Sequence, residues 1–286
     1  MKKLKKSYQF FIKGTRYVFS FISPDRRHTL NHGIFSTLRI LFFWNSLLSL
    51  HDKLRMKRVV RFDKKTRATF IVNNYREIDR LDRYFTKEPE TIQWIQEYIR
   101  PGEILFDIGA NIGQYSIFCA VTKKGTVVYS FEPSAANFAR LNENISVNGL
   151  SGSVIPYNLA FSDKTNLARF QITTLKPGYA MHQLEDRDNS SYLDPSQYSH
   201  VQGIFTTSMD EAINRLGLPI PHHIKIDVDG VENLIVRGGG SLLKQPCLKT
   251  VMLEIDAPNK DYIVDAMTSY GFVCEKKKTN FLFKRA

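Results

Sequence analysis

The stretch ILFDIGANIG, residues 104–113, decides the fold class. Ile104–Ile108 is an apolar run of strand length, and Gly109 and Gly113 bracket a turn into a helix expected over 113–122. The same alternation continues downstream. Residues 126–131 read as a strand, and Ser134 can cap a helix whose inner face is Phe138, Leu141 and Ile145. Strands are expected at 154–159, 168–173, 224–228 and 250–255, with helices at 209–216, 232–243 and 261–270, the second of these interrupted by Gly238, Gly239 and Gly240. A closing hairpin runs from Phe272 to Phe283. Upstream, 68–73 reads as a short strand and 89–99 as a helix with Pro89 in its first turn. Short apolar strands alternating with helices imply an α/β fold: a Rossmann-like, doubly wound, mostly parallel sheet covered on both faces. Its ligands belong at the carboxyl ends of the strands.

The chemistry is expected at those ends. Gly109 and Gly113 carry no Cβ, so the backbone can turn tightly and approach a ligand. The free N–H groups of the next helix suit a carboxylate or phosphate, and Asp107 suits an ammonium or hydroxyl. The second strand ends in Glu132-Pro133, where a carboxylate can accept hydrogen bonds from ribose hydroxyls. Together these describe a nucleoside site carrying a small zwitterion rather than a pyrophosphate. G-x-G-x-x-G and the Gly-Lys-Ser/Thr of a P-loop are both absent. For the glycine turn alone, an ordinary tight loop is the plain alternative.

A second constellation is KIDVDGVE, residues 225–232. Period-two alternation places Lys225, Asp227 and Asp229 on one side of a strand end. Asp227 can hold a substrate hydroxyl and take its proton, the alternative being a Lys–Asp pair that only closes the loop. Residues 174–203 are polar and turn-rich, and such a segment inside an α/β domain reads as a substrate loop or lid. It carries His182, a second candidate base if the segment folds over the site and otherwise an exposed loop histidine. Asp227, Asp229, Glu232 and Asp256 have no spacing diagnostic of a metal, and none is expected. His222 and His223 read as part of a turn.

Charge is unevenly placed along the 286 residues, whose net charge is +12. Residues 1–67 hold 17 Lys and Arg against three acids, whereas 68–286 hold 23 bases against 25 acids. A basic, aromatic-rich N-terminal extension, 1–67, is therefore set apart from the rest. Lys13 and Arg16 interrupt what would be a signal peptide, and the apolar run 40–50 is too short to span a bilayer. Two readings stand for residues 1–50: helices packed on the following domain, or peripheral contact with an anionic membrane. A nucleic-acid-binding arm is a weaker third. Three scattered cysteines point to a reducing compartment, so the expected location is cytoplasmic, with the inner membrane surface left open.

Three blocks now align in order: FDIGANIGQYSI from Phe106, SFEPSAANFARLNENISVNGL from Ser130, and IKIDVDGVENLIVRGG from Ile224, with LEI at 253–255 beyond them. The chain resembles the FkbM-type family of S-adenosylmethionine-dependent methyltransferases over about 68–286. The resemblance implies a methyltransferase domain there, S-adenosyl-L-methionine as cofactor, and a small-molecule or glycan acceptor. It implies a methyl group placed on a hydroxyl of a glycan, glycolipid or secondary metabolite. The residues expected to hold the cofactor are Asp107, Gly109, Ala110, Asn111, Gly113, Glu132 and Ala160, and the expected catalytic residues are Asp227 and, if its segment folds over the site, His182. Asp229 stands where the family usually has Glu, one methylene longer. The alternatives are a nucleic-acid methyltransferase and a non-catalytic nucleoside-binding module. Against the first, the Asn/Asp-Pro-Pro-aromatic motif that clasps a flipped base is missing, and the main domain is not basic, so nucleic acid is not the expected partner.

Overall fold

The computed structural model describes residues 56–185, 195–255, 257–276 and 280–286. The chain divides into two units, Met1–Arg55 and Met56–Ala286, and the expectations for residues 1–50 lie outside the described residues. The second unit opens with a hairpin, β1 (Lys57–Arg61) paired antiparallel with β2 (Arg67–Ile71). The boundary expected after residue 67 therefore falls inside a two-strand ladder. Lys57, Arg58 and Arg61 read as part of a charge run, yet they belong to a strand whose one buried side chain is Val60.

The hairpin is fastened to the rest by asparagine side chains. Asn148 accepts from the Thr69 N–H at 2.8 Å and donates to the Thr69 carbonyl at 2.7 Å, and Asn144 accepts from the Ile71 N–H at 2.8 Å. These amides take the place of a neighbouring strand for an edge that would otherwise bury unpaired groups.

Two helices follow, α1 (Tyr75–Asp82) and α2 (Pro89–Tyr98). The first has a capping box, in which Asn74 accepts from the Glu77 N–H and the Glu77 carboxylate accepts from the Asn74 N–H. Then come β3 (Ile104–Ile108), α3 (Gln114–Thr122), β4 (Val127–Phe131), α4 (Ala135–Val147), β5 (Val154–Tyr157), β6 (Ala160–Phe161) and β7 (Asn166–Ile172). The remaining elements are β8 (Gln183–Leu184), β9 (His200–Thr207), α5 (Met209–Asn214), β10 (His223–Ile226), α6 (Glu232–Arg237), β11 (Thr250–Glu254), α7 (Lys260–Ser269), β12 (Phe272–Lys276) and β13 (Asn280–Arg285).

The main sheet has the order β12-β13-β11-β10-β3-β4-β5, with β11 through β5 parallel and β13 antiparallel at one side. Strand order reverses between β3 and β10, which opens the crevice where a doubly wound sheet takes its ligand. Register fixes which side chains share a face. Lys225 pairs with Asp107, and Asp107 with Ser130, so these polar groups lie on one face with Leu105, Val128 and Met252. Phe106, Ile108, Ile224, Ile226 and Phe131 fill the other.

A second sheet, β6-β9-β7-β8, was only half expected. β9 begins within 174–203 and runs on to Thr207, and Gly203 and a polar start hide its strand alternation. The helix expected over 232–243 stops at Arg237 with Gly238 as its C-cap; a Cβ on Gly238 would lie 2.4 Å from the Ser162 carbonyl oxygen and one on Gly239 2.2 Å from Met209. His223 is not in a turn; it begins β10, buried between Glu103 at 2.8 Å and Thr250 at 2.7 Å. Among the described residues no helix is long and apolar enough to cross a membrane.

Candidate functional site

A cavity of about 280 Å³ opens at the carboxyl ends of β3, β4 and β10. Its apolar part is formed by Ile108, Phe131, Leu159, Phe161, Phe170 and Leu184, and its polar part by carboxyl groups from several strand ends. Of the residues expected to hold a cofactor, Gly109, Asn111, Glu132 and Ala160 line it, as do both expected catalytic residues, Asp227 and His182. Asp107, Ala110 and Gly113 are not among its lining residues.

The placement of these three has local causes. Asp107 is 1% exposed, and its register places it under α3, where Ser116 donates a hydrogen bond to it; burial raises its carboxyl above the usual range. It anchors the turn at the strand end, and its Oδ1 is buried without a partner in the protein. Ala110 packs in the apolar cluster beneath α3 and α4. Gly113 caps α3 with φ +87°, and a Cβ there would lie 2.5 Å from Leu141 Cδ1, so the core requires this glycine.

Gly109 faces the cavity, but its necessity comes from the neighbouring strand. With φ +85°, its Cβ would sit 1.9 Å from the Asp227 carbonyl oxygen. Gly109→Ala is expected to lower stability by roughly 2–5 kcal/mol through overpacking and a strained left-handed backbone. Chemical denaturation checks this, and an unchanged midpoint would contradict the close approach.

Glu132 is buried at the end of β4. Its Oε2 accepts from the Asn111 N–H at 2.8 Å and its Oε1 from the Ser134 N–H at 2.9 Å, with Asn137 at 3.5 Å. Burial outweighs these donors and pushes the carboxyl up to about 7. One lone pair of Oε2 stays available for a hydroxyl donor. Asn111 holds the turn in shape at φ 50°, its own oxygen accepting from the Ile112 N–H at 3.0 Å.

Part of the irregular segment does fold over this site. It is the loop joining β7 to β8, tied down from four sides; residues 186–194 lie outside the described residues. Asn74 donates to the Pro177 carbonyl at 2.8 Å, and Arg80 to that of Gly178 at 2.5 Å. Asn137 accepts from the Gly178 N–H at 2.8 Å, and Asn111 and Asn137 donate to the Tyr179 carbonyl at 2.9 and 3.1 Å. Asp229 accepts from the Met181 N–H at 2.6 Å, and burial beside Asp227 pushes its carboxyl up to about 6. The shorter Asp229 thus fastens this strap.

His182 sits at the inner end of the strap, 6% exposed. The Thr173 N–H donates to its Nδ1 at 3.3 Å, so the neutral ring carries its hydrogen on Nε2. Burial lowers its pKa to about 4, with the Arg80 charge adding to the effect. Nε2 is buried with no partner in the protein. A neutral ring in this tautomer presents a donor at Nε2.

Asp227 receives the Lys225 ammonium at 2.6 Å and shares a hydrogen bond with Glu254. Burial alone would raise its carboxyl, but the Lys225 and Lys87 charges outweigh it and hold Asp227 ionised, well below the usual range. Lys225 is buried, also lies 4.8 Å above the Tyr115 ring, and is held charged by Asp227, Glu88 and Asp107 despite its burial. Lys225 and Asp227 thus form an ion pair whose carboxylate faces the cavity.

Arg80, Lys87, Asn137, Tyr179 and Glu254 also line the cavity and were missed. Glu254 alone had a signal, a carboxylate inside the apolar run VMLEI. Arg80 comes from α1, a short polar helix whose apolar side is only Ile78 and Leu81. Among the described residues no group of three His, Cys, Asp or Glu is placed to hold a metal; Asp256 lies outside them.

The methyltransferase FkbM domain model matches residues 107–274. The hexuronic acid methyltransferase AglP of Haloferax volcanii is 28% identical over 190 residues, 66% of this chain and 71% of that protein. The 31-O-demethyl-FK506 methyltransferase FkbM of Streptomyces tacrolimicus is 34% identical over 84 residues, 28% of this chain and 32% of that one. Among solved structures, the methyltransferase FkbM of Methylobacillus flagellatus KT aligns with TM-score 0.42 at 16% identity, covering 74% of this chain and 56% of that one. With the family model spanning more than half its length, the chain belongs to the FkbM methyltransferase family, and its activity is methyl transfer.

Proposed function

We propose that the chain transfers the methyl group of S-adenosylmethionine to a hydroxyl of a glycan or glycolipid. The observation that carries this reading is the placement of Glu132 and Asp227 in one cavity, on strands flanking the Gly109 turn. Glu132 suits the ribose hydroxyls, and the Gly109–Asn111 turn suits the amino-acid end of the donor. The apolar walls from Leu159 to Leu184 suit a nucleobase. The sulfonium donor supplies an activated methyl group with its own leaving group, so the protein's work is to align the acceptor and dispose of its proton. Asp227 accepts a hydrogen bond from the acceptor hydroxyl and orients its oxygen. His182 Nε2–H donates to an oxygen of the bound molecules. A saccharide acceptor is supported by the hexuronic acid acted on by AglP. A nucleic-acid acceptor draws no support from the charge of residues 68–286, which hold 23 bases against 25 acids.

The test is incubation of the full chain with methyl-labelled S-adenosylmethionine and a panel of glycans, glycolipids and hexuronic acid glycosides, read by mass spectrometry. Label on a saccharide hydroxyl is expected. Label confined to RNA or DNA added in parallel would overturn the reading.

A further inference from the structure

Asp227 and Glu254 end adjacent parallel strands, one position beyond the Ile226–Leu253 pair, on the face that carries Lys225. Both line the cavity. The groups around them are Glu88 at the start of α2, Asp107 on β3, Tyr115 on α3, and the ammonium groups of Lys87 and Lys225. Four carboxyls thus face two ammonium groups in a water-poor place, and they cannot all be ionised at little cost. Glu88 pairs with Lys87 at 2.7 Å, Asp107 takes the Ser116 hydroxyl, and Asp227 takes Lys225 at 2.6 Å. Glu254 has Asp227 itself as partner. A hydrogen bond between two carboxyl groups needs one proton between them, and Lys225 holds Asp227 as the anion. That proton belongs to Glu254.

We propose that Glu254 is the proton acceptor of the reaction, with Asp227 orienting the acceptor hydroxyl beside it. This rests on the hydroxyl reading given above. The reactive form has Glu254 ionised, its carboxylate receiving the hydrogen of the acceptor O–H. The acceptor oxygen forms a bond to the methyl carbon as the carbon–sulfur bond breaks, and that electron pair stays on sulfur as a neutral thioether. The O–H electron pair stays on oxygen, and the proton moves to Glu254. It is then shared with Asp227 and lost to water when the product leaves. Burial and the neighbouring Asp227 charge push Glu254 up to about 8, so the resting pair must lose its proton before each turnover.

Two readouts on the full chain test this. The first needs no acceptor. Carbon NMR of labelled glutamate carboxyls, with donor bound, is expected to show one group titrating near 8 that vanishes in Glu254→Gln. Its absence from the wild-type spectrum would overturn the proposal. The second uses p-nitrophenyl glycosides of a hexose and a hexuronic acid as acceptor probes. The rate of alkali-stable ether formation should rise with pH through the same region. In Glu254→Gln the rise should disappear and the rate fall by about 10²-fold or more, with calorimetric donor affinity unchanged. Glu254→Asp should keep the rise at a reduced rate, which a merely structural side chain would not do. An ether rate and pH rise unaltered in Glu254→Gln would overturn the role of Glu254 alone. An alkali-labile ester would overturn the hydroxyl reading, because a carboxylate acceptor has no proton to give up.

Discussion

Asp227→Asn lowers the methyl-transfer rate by about 10²-fold or more while S-adenosylmethionine binds nearly as before. The asparagine keeps the shape of the strand end but loses the charge that orients the acceptor, an interaction felt in the transition state, so kcat and kcat/KM should fall together. The substitution also removes the closest counter-charge of buried Lys225, although Asp107 and Glu88 remain nearby. Breaking a buried pair costs up to roughly 3–5 kcal/mol, so thermal unfolding must be measured alongside the rate. Removal of the Asp227 charge also lets Glu254 ionise more readily, which moves the remaining pH–rate rise to lower pH. Steady-state kinetics with calorimetry decides the matter; a wild-type rate would make the Lys225–Asp227 pair purely structural.

Glu132→Ala weakens donor binding by roughly 1.5–3 kcal/mol, the usual worth of a hydrogen bond to a charged group. The cost is about 10- to 150-fold in affinity. The variant also orphans the Asn111 and Ser134 N–H groups, so the milder Glu132→Gln is the companion that separates turn collapse from lost ribose contact. pH adds a sign. Because Glu132 titrates at about 7 and its ionised form accepts from hydroxyls, donor affinity should weaken as pH falls through that value. In Glu132→Gln this dependence should flatten. Calorimetric titration at several pH values checks both, and unchanged affinity in Glu132→Ala would remove the ribose assignment.

The parallel sheet was legible because β3, β4, β10 and β11 are short apolar runs between turn residues, a pattern that a strand buried on both faces cannot avoid. The site was legible where a residue type is rare at its position, as with Glu132 before Pro133 and Asp227 after an apolar strand. Asp107 and Gly113 stand beside the cavity rather than in its lining. A glycine or carboxylate at a strand end can serve the core as well as a ligand, and only register and the Leu141 contact tell which. The strap was seen as a loop over the site, but its fastening by Asn74, Asn111 and Asn137 pairs residues far apart in sequence, and no local pattern announces them. The β1–β2 hairpin stayed hidden in a run of Lys and Arg because its only inward side chain on β1 is Val60.

The most direct test is a crystal structure of the full chain with S-adenosylhomocysteine. The ribose hydroxyls should lie within hydrogen-bonding distance of Glu132, with the sulfur facing the Asp227–Glu254 pair across the Gly109 turn. A nucleoside bound elsewhere, or one whose ribose makes no contact with Glu132, would contradict the assignment of this cavity as the methyl-donor site.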